Sequence, residues 1–239
     1  MKFHRATLDT CSHVQGTVVV IDVLRAFSTA AYAFAAGAES ITLVGTVAEA
    51  LALREQMPGS LVMGEVGGLP VEGFDFSNSP VDLTKRDLSD RHLIQRTSHG
   101  TQGLVRSLQA EYLLAGSLVC ASATARLIQR WPAETVTFVL TGVEPDGAGD
   151  EDAACADFIE AVLRGEHPDP AVYIRRVRES VPGRIFSDPA QPEYPAADLD
   201  ACAQVDRFNF AMPVEKEDGR LVMRAVTMPQ SRDPSLTVA

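Results

Sequence analysis

The chain has no apolar run approaching the ~20 residues needed to span a bilayer. Met1 to Gln15 also lacks the apolar stretch and small-residue cleavage site of an export signal. A cytoplasmic protein with no membrane partner is expected. Basic charge is scarce as well: 21 Lys and Arg stand against 32 Asp and Glu, for a formal net charge of −11. Nucleic acid is bound by clustered Lys and Arg that displace counterions, so no nucleic-acid partner is expected either. The four cysteines, Cys11, Cys120, Cys155 and Cys202, include no C-x-x-C pair and have no histidine at zinc-finger spacing. Neither a disulfide framework nor a structural zinc site is indicated.

What the chain does have is alternation of strand and helix. Val18 to Ile21 is a continuous β-branched run, as in a strand covered on both faces, and it stops at Asp22. Ala26 to Ala36 follows as helix, then Ser40 to Val44 as strand. Thr46 and Glu49 match a capping box that opens a helix through Met57. Further strands are predicted at Leu61 to Met63, His92 to Gln95, Tyr112 to Ala115 and Val136 to Leu140, with helices to Trp131 and over Asp152 to Arg164. Parallel strands need such crossovers, so the expected fold is a three-layer α/β/α arrangement with a mainly parallel or mixed sheet. Beyond residue 165 prolines break the chain into short pieces. Helices are predicted near Ala171 to Glu179 and Ala197 to Phe208, and Asp218-Gly219 marks a hairpin between Pro213 to Lys216 and Arg220 to Met223. A single domain over 1–239 is expected, with an α/β core over 1–165 and a smaller α+β addition over 166–239 packed as a cap or at the sheet edge. Ser231 to Ala239 reads as a frayed tail.

The unusual polar residues fall at the predicted strand ends, where ligands collect in open α/β sheets. Asp22 and Arg25 precede a helix N-terminus and form either a phosphate or metal corner or a cap with an ion pair. Glu65 sits on a glycine-rich turn. Asp75, Ser77, Asn78 and Ser79 supply the oxygen that hard cations take, though such residues also build ordinary turns. Arg96, Ser98, His99, Gly100 and Thr101 join a strand to a helix with the ingredients of a phosphate cradle, but without the lysine of a Walker A loop. Asp146, Asp150, Glu151 and Asp152 crowd the last strand-to-helix loop, as Mg²⁺ ligands or as complements to the helix dipole. Leu24 stands where a haloacid-dehalogenase-type phosphatase would carry its second aspartate. Cys120 and Arg126 have C-x5-R spacing, but the intervening residues are helix formers and not a glycine-bearing cradle.

In order along the chain, Asp22-Val23-Leu24-Arg25-Ala26 with Ser28-Thr29, Gly64-Glu65, Gly73-Phe74-Asp75 with Asn78-Ser79-Pro80, Ser98 with Gly100-Thr101, Gly116-Ser117, and Glu151-Asp152 with Cys155-Ala156 resemble the 2-phosphosulfolactate phosphatase family, the ComB-like phosphatases. The resemblance covers about two-thirds of the chain. It implies a layered α/β fold and Mg²⁺-dependent hydrolysis of 2-phosphosulfolactate to sulfolactate and phosphate. This chain departs from the family at Thr97-Ser98-His99-Gly100-Thr101, where Thr-Thr-Asn-Gly-Thr is usual, and at Phe27, where a small hydroxyl residue is common.

Residues and resemblance together define an expected site. Asp22, Arg25, Glu65 and Asp152 are its catalytic residues, and Asp22, Glu65, Asp75, Glu151 and Asp152 its Mg²⁺ ligands. Arg25, Ser77, Asn78, Ser79, Arg96, Ser98, Gly100, Thr101 and Ser117 are expected to bind the substrate, a small phosphate ester. A homodimer is compatible with the sequence. The competing expectation is a non-catalytic binder of a phosphorylated or sulfonated metabolite. Carboxylates beside an anionic ligand argue against it unless a metal bridges them.

Overall fold

The computed structural model describes residues 1–142 and 149–229. Asp146 and the tail from Ser231 lie outside the described residues. The strands are β1 (Lys2–Thr7), β2 (Gly16–Ile21), β3 (Ser40–Leu43), β4 (Leu61–Gly64), β5 (His92–Arg96), β6 (Ala110–Gly116), β7 (Thr135–Leu140), β8 (Phe210–Glu217), β9 (Arg220–Met223) and β10 (Val226–Thr227). The helices are α1 (Ala26–Ala35), α2 (Val47–Gln56), α3 (Pro80–Leu83), α4 (Gly100–Arg106), α5 (Ala121–Ile128), α6 (Asp150–Leu163), α7 (Pro170–Glu179), α8 (Val181–Phe186) and α9 (Ala196–Cys202). No helix among the described residues is long and apolar enough to cross a membrane.

The sheet is mixed, in the order β1-β7-β2-β6-β8-β9-β3-β5-β4, with β10 beside β8. Period-2 alternation makes β2 the clearest case of a doubly covered strand. Val18 and Val20 pack with α1 and α4 on one face, whereas Val19 and Ile21 pack with α5 and α6 on the other. A smaller core between α2 and the β4–β5 pair holds Ala50, Leu53, Val62 and Ile94. Helices therefore cover both faces, as the strand–helix alternation predicts. The Thr46–Glu49 capping box also forms as expected.

Three differences from the sequence reading have physical causes. Strand β1 was not anticipated, because Lys2–Thr7 is polar and half exposed; it pairs only with β7, at the sheet edge, where charge is tolerated. The predicted helix from Ala197 to Phe208 stops at Cys202, and the short α8 was not anticipated. The largest correction concerns the hairpin. Asp218 and Gly219 do turn it with positive φ, but β8 and β9 lie inside the sheet and not at its edge.

The block β1-β7-β2-β6 is parallel, as is β3-β5-β4, and the two run in opposite senses. Two antiparallel strands between them satisfy both open edges: β8 pairs with β6, and β9 with β3. Pro213 pairs opposite Leu114, although proline in a strand ordinarily marks a sheet edge. It sits just before the ladder passes from β6 to β9, which begins to pair at Val214.

Candidate active site

A cleft of about 540 Å³ opens beyond the carboxyl ends of β2, β4, β5 and β7. It is lined by Asp22, Arg25, Glu65, Asn78, His99, Glu151 and Asp152, and walled on one side by Pro182, Ile185, Phe186 and Tyr194 of the α8–α9 region. This wall comes from α8 and from the segment that precedes α9.

Asp22 ends β2 and is buried. Its Oδ1 accepts the Ala26 amide at 2.9 Å, which starts α1. A Cβ added at Gly100 would stand 2.7 Å from the Ala26 Cβ and 2.8 Å from Asp22 Oδ2, so only glycine lets α4 approach the carboxylate this closely. Burial raises the Asp22 pKa; His99 opposes that and Glu65 adds to it.

Glu65 is held by donors on both oxygens. Oε1 accepts the Ser98 amide at 2.5 Å, and Oε2 accepts the Gly68 amide at 2.6 Å and the Ser98 hydroxyl at 3.1 Å. Asp152 is held in the same manner. Oδ1 takes the Val23 amide at 2.9 Å, and Oδ2 takes the Thr141 and Gly142 amides at 3.1 and 2.9 Å. Its neighbour Glu151 is different: among the described residues its buried Oε2 has no hydrogen-bond partner. Burial pushes the Glu151 carboxyl up to about 7, and pushes Asp152 well above the usual carboxylate range, with Glu151 and Asp22 adding their repulsion. Among the described residues, no three His, Cys, Asp or Glu side chains form a group able to hold a metal ion unaided.

Arg25 is the one Arg or Lys lining the cleft among the described residues. Its Nη1 donates to Asp198 Oδ2 at 2.8 Å and to the Glu193 carbonyl at 3.4 Å, and its Nη2 to the Gly68 carbonyl at 3.3 Å. The guanidinium lies 5.0 Å from the Phe186 ring centroid and 5.5 Å from that of Tyr194. The Leu24–Arg25 peptide is cis. Asn78 lines the same cleft, and among the described residues its buried Oδ1 has no partner.

Asp22, Arg25, Glu65, Asn78, Glu151 and Asp152 are therefore brought together as expected, while other expected site residues stand behind the cleft wall. Asp75 accepts the Val62 amide at 2.8 Å and faces Arg54, so it anchors its loop to β4 and does not join the carboxylates. Ser77 bonds to Asp82. Ser79 caps α3 and donates to Asp198 Oδ1 at 2.7 Å. Arg96 donates to the carbonyls of Glu65 and Gly45, bracing the Glu65 turn from outside the cleft. Ser98 orients Glu65, and Thr101 closes a buried turn with Thr97. Ser117 is fully buried against Ser28. Gly100 serves by close approach and not as a contact on the cleft surface.

The sequence reading missed Asp198, Phe186 and Tyr194. An aspartate near the start of a helix reads as a complement to the dipole, and aromatic residues in a proline-rich segment read as packing. Nothing short of the fold ties them to Arg25. Cys120 is fully buried, its thiol pushed up to about 12 by burial, and it does not line the cleft. Arg126 lies on α5 and bonds to Asn209. The C-x5-R spacing is thus a feature of helix packing.

Buried carboxylates beside one arginine, at the strand ends of a layered sheet, suit an anionic ester once a cation lies between them, and the class this points to is an α/β phosphoric monoester hydrolase. Comparison with known proteins narrows it. A family model described as 2-phosphosulpholactate phosphatase matches residues 4–217, and the chain belongs to that family. It is 34% identical to a probable 2-phosphosulfolactate phosphatase of Bacillus subtilis (strain 168), over 85% of this chain and 88% of that protein. It is 32% identical to one from Carboxydothermus hydrogenoformans, over 87% and 90%. Against one from Deinococcus radiodurans identity is 37%, over 56% of each chain.

Proposed function

We propose that the chain is a Mg²⁺-dependent phosphatase that hydrolyses 2-phosphosulfolactate to sulfolactate and phosphate. The observation that carries this reading is the cleft itself: Asp22, Glu65, Glu151 and Asp152 line it together with Arg25, in a chain of this family. Buried carboxylates would repel a phosphate ester unless a cation lay between them.

The residues present fit that cation. Mg²⁺ takes one or two protein carboxylates and completes its shell with water and phosphate oxygens, so a group of three ligands is not required. Among the described residues Oε2 of Glu151 has no hydrogen-bond partner, and Asp22 lines the same cleft, which makes Glu151 and Asp22 the residues that would hold the ion. When bound, Mg²⁺ supplies charge neutralisation and a more acidic water. Glu65 and Asp152 have their oxygens committed to backbone amides, so they fix the turns that carry Asp22 and Ser98. Arg25 offers the charge for a second anionic group on the substrate. In the reaction, water oxygen bonds to phosphorus, the ester P–O bond breaks, and the departing alcohol ends with a proton from water.

Release of inorganic phosphate from 2-phosphosulfolactate and from a panel of phosphoesters, with Mg²⁺ and with EDTA, tests this. Activity should vanish with chelator and return with Mg²⁺. Full activity in excess EDTA would overturn the metal role, and no preference for 2-phosphosulfolactate would overturn the substrate.

A further inference from the structure

The C-terminal segment does more than wall the cleft: it meets Arg25 through Asp198, a buried carboxylate that touches neither the other acids nor solvent. Asp198 is 0% exposed and receives three donors from two distant parts of the chain. Oδ2 accepts Arg25 Nη1 at 2.8 Å, while Oδ1 accepts the Ser79 hydroxyl at 2.7 Å and the Val81 amide at 3.3 Å. Phe186 and Tyr194 lie beside the same guanidinium. An arginine side chain has four flexible torsions, and its fork recognises an anion well only when its plane is fixed in advance. Here one Nη is committed to Asp198, and the neighbouring rings limit how the plane can turn. Among the described residues Nε of Arg25 makes no hydrogen bond, which leaves donors for a ligand in the cleft.

We propose that Asp198 is a positioning residue that, with Ser79 behind it, orients Arg25 to receive the nonreacting anionic group of the substrate. This rests on the reading of the cleft as a phosphatase site with Arg25 facing that group. Asp198 sets selectivity for doubly anionic esters through Arg25 and makes no bond to the carboxylates of the cleft. Ser79, expected from sequence to touch substrate, acts one step further back.

The test compares the purified full-length protein with Asp198→Asn, Asp198→Glu, Ser79→Ala, Arg25→Ala and the Arg25→Ala/Asp198→Asn double variant. The substrates are 2-phosphosulfolactate and p-nitrophenyl phosphate, which has no second anionic group, and sulfolactate binding is followed separately by calorimetry. Asp198→Asn should raise KM for 2-phosphosulfolactate by about tenfold, within the usual coupling of contacting residues, and change neither kinetic constant for p-nitrophenyl phosphate by more than about twofold. Ser79→Ala should shift KM in the same direction by less, and it decides the matter should the Asp198 variants fail to fold. In the Arg25→Ala background, Asp198→Asn should add nothing. Effects that multiply, or a loss shared equally by both substrates, would overturn the proposal while leaving the phosphatase reading intact. An Arg25→Ala protein with normal KM and normal sulfolactate binding would overturn both Arg25 as the anion site and Asp198 as its guide. Were the wild-type protein to hydrolyse neither ester, the function reading would fall, and sulfolactate binding by the same variants would still decide the Asp198–Arg25 coupling.

Discussion

Asp152, in the first turn of α6, accepts the amide hydrogen of Val23 at 2.9 Å across 129 residues of sequence. This bond ties the turn that carries Asp22 to the first turn of α6, which carries Glu151. Because the remaining oxygen already takes the Thr141 and Gly142 amides, an amide at this position would turn an NH₂ toward backbone N–H donors. Asp152→Asn should therefore lower stability by about 1–3 kcal/mol, the cost of leaving buried donors unmade, and reduce kcat by more than KM. Chemical denaturation and steady-state kinetics on the same preparation check it. A variant with normal stability and activity would show that the latch is dispensable.

Glu151 predicts a pH dependence. Its folded carboxyl titrates near 7 against an ordinary value of 4.5, so between those values the native state holds a proton that the unfolded chain has lost. Stability of the metal-free protein should therefore fall as pH rises through this window, with Asp22 and Asp152 acting in the same direction. Glu151→Gln should flatten the slope in thermal melts taken from pH 4.5 to 7.5, and added Mg²⁺ should flatten it for the wild type. An unchanged slope in the Gln variant would assign the titration to another group.

For Arg96 the expectation from sequence and that from structure differ. As a cleft residue it would discriminate between singly and doubly anionic substrates; as a brace on the Glu65 carbonyl it cannot. Arg96→Ala should reduce kcat/KM for 2-phosphosulfolactate and p-nitrophenyl phosphate by the same factor, within about threefold. A selective loss on the doubly anionic ester would place Arg96 on the substrate after all.

Cys120→Ser should keep most of the activity, and iodoacetamide should not inhibit the native protein. The thiol is fully buried and its ionisation is suppressed, whereas alkylation requires an exposed thiolate. Loss of activity on alkylation, prevented by substrate, would reopen the thiolate route.

The elements with a local physical cause could be read residue by residue. The β-branched run of β2, the capping box of α2, the Asp-Gly turn of the hairpin and the acids that open α6 each depend on near neighbours, and all are where the pattern puts them. For the same reason Asp22, Glu65 and Asp152 could be picked out as acids at strand ends. Their grouping, and the separation of Asp75, Arg96, Thr101 and Ser117 from the cleft, depend on which way each side chain leaves a turn. No spacing rule encodes that.

Long-range pairing settled the rest. The C-terminal addition is expected from sequence as a cap or at the sheet edge, yet two oppositely directed parallel blocks, each with an open edge, could be joined by antiparallel strands only if the hairpin entered between them. In the same way, Asp198 reads as an ordinary helix-start acid until α9 packs against α3 and the charge of Arg25 arrives 173 residues away in sequence. A buried carboxylate takes its role from the donors that meet it, and those donors are set by packing between segments that carry no record of one another in their local order.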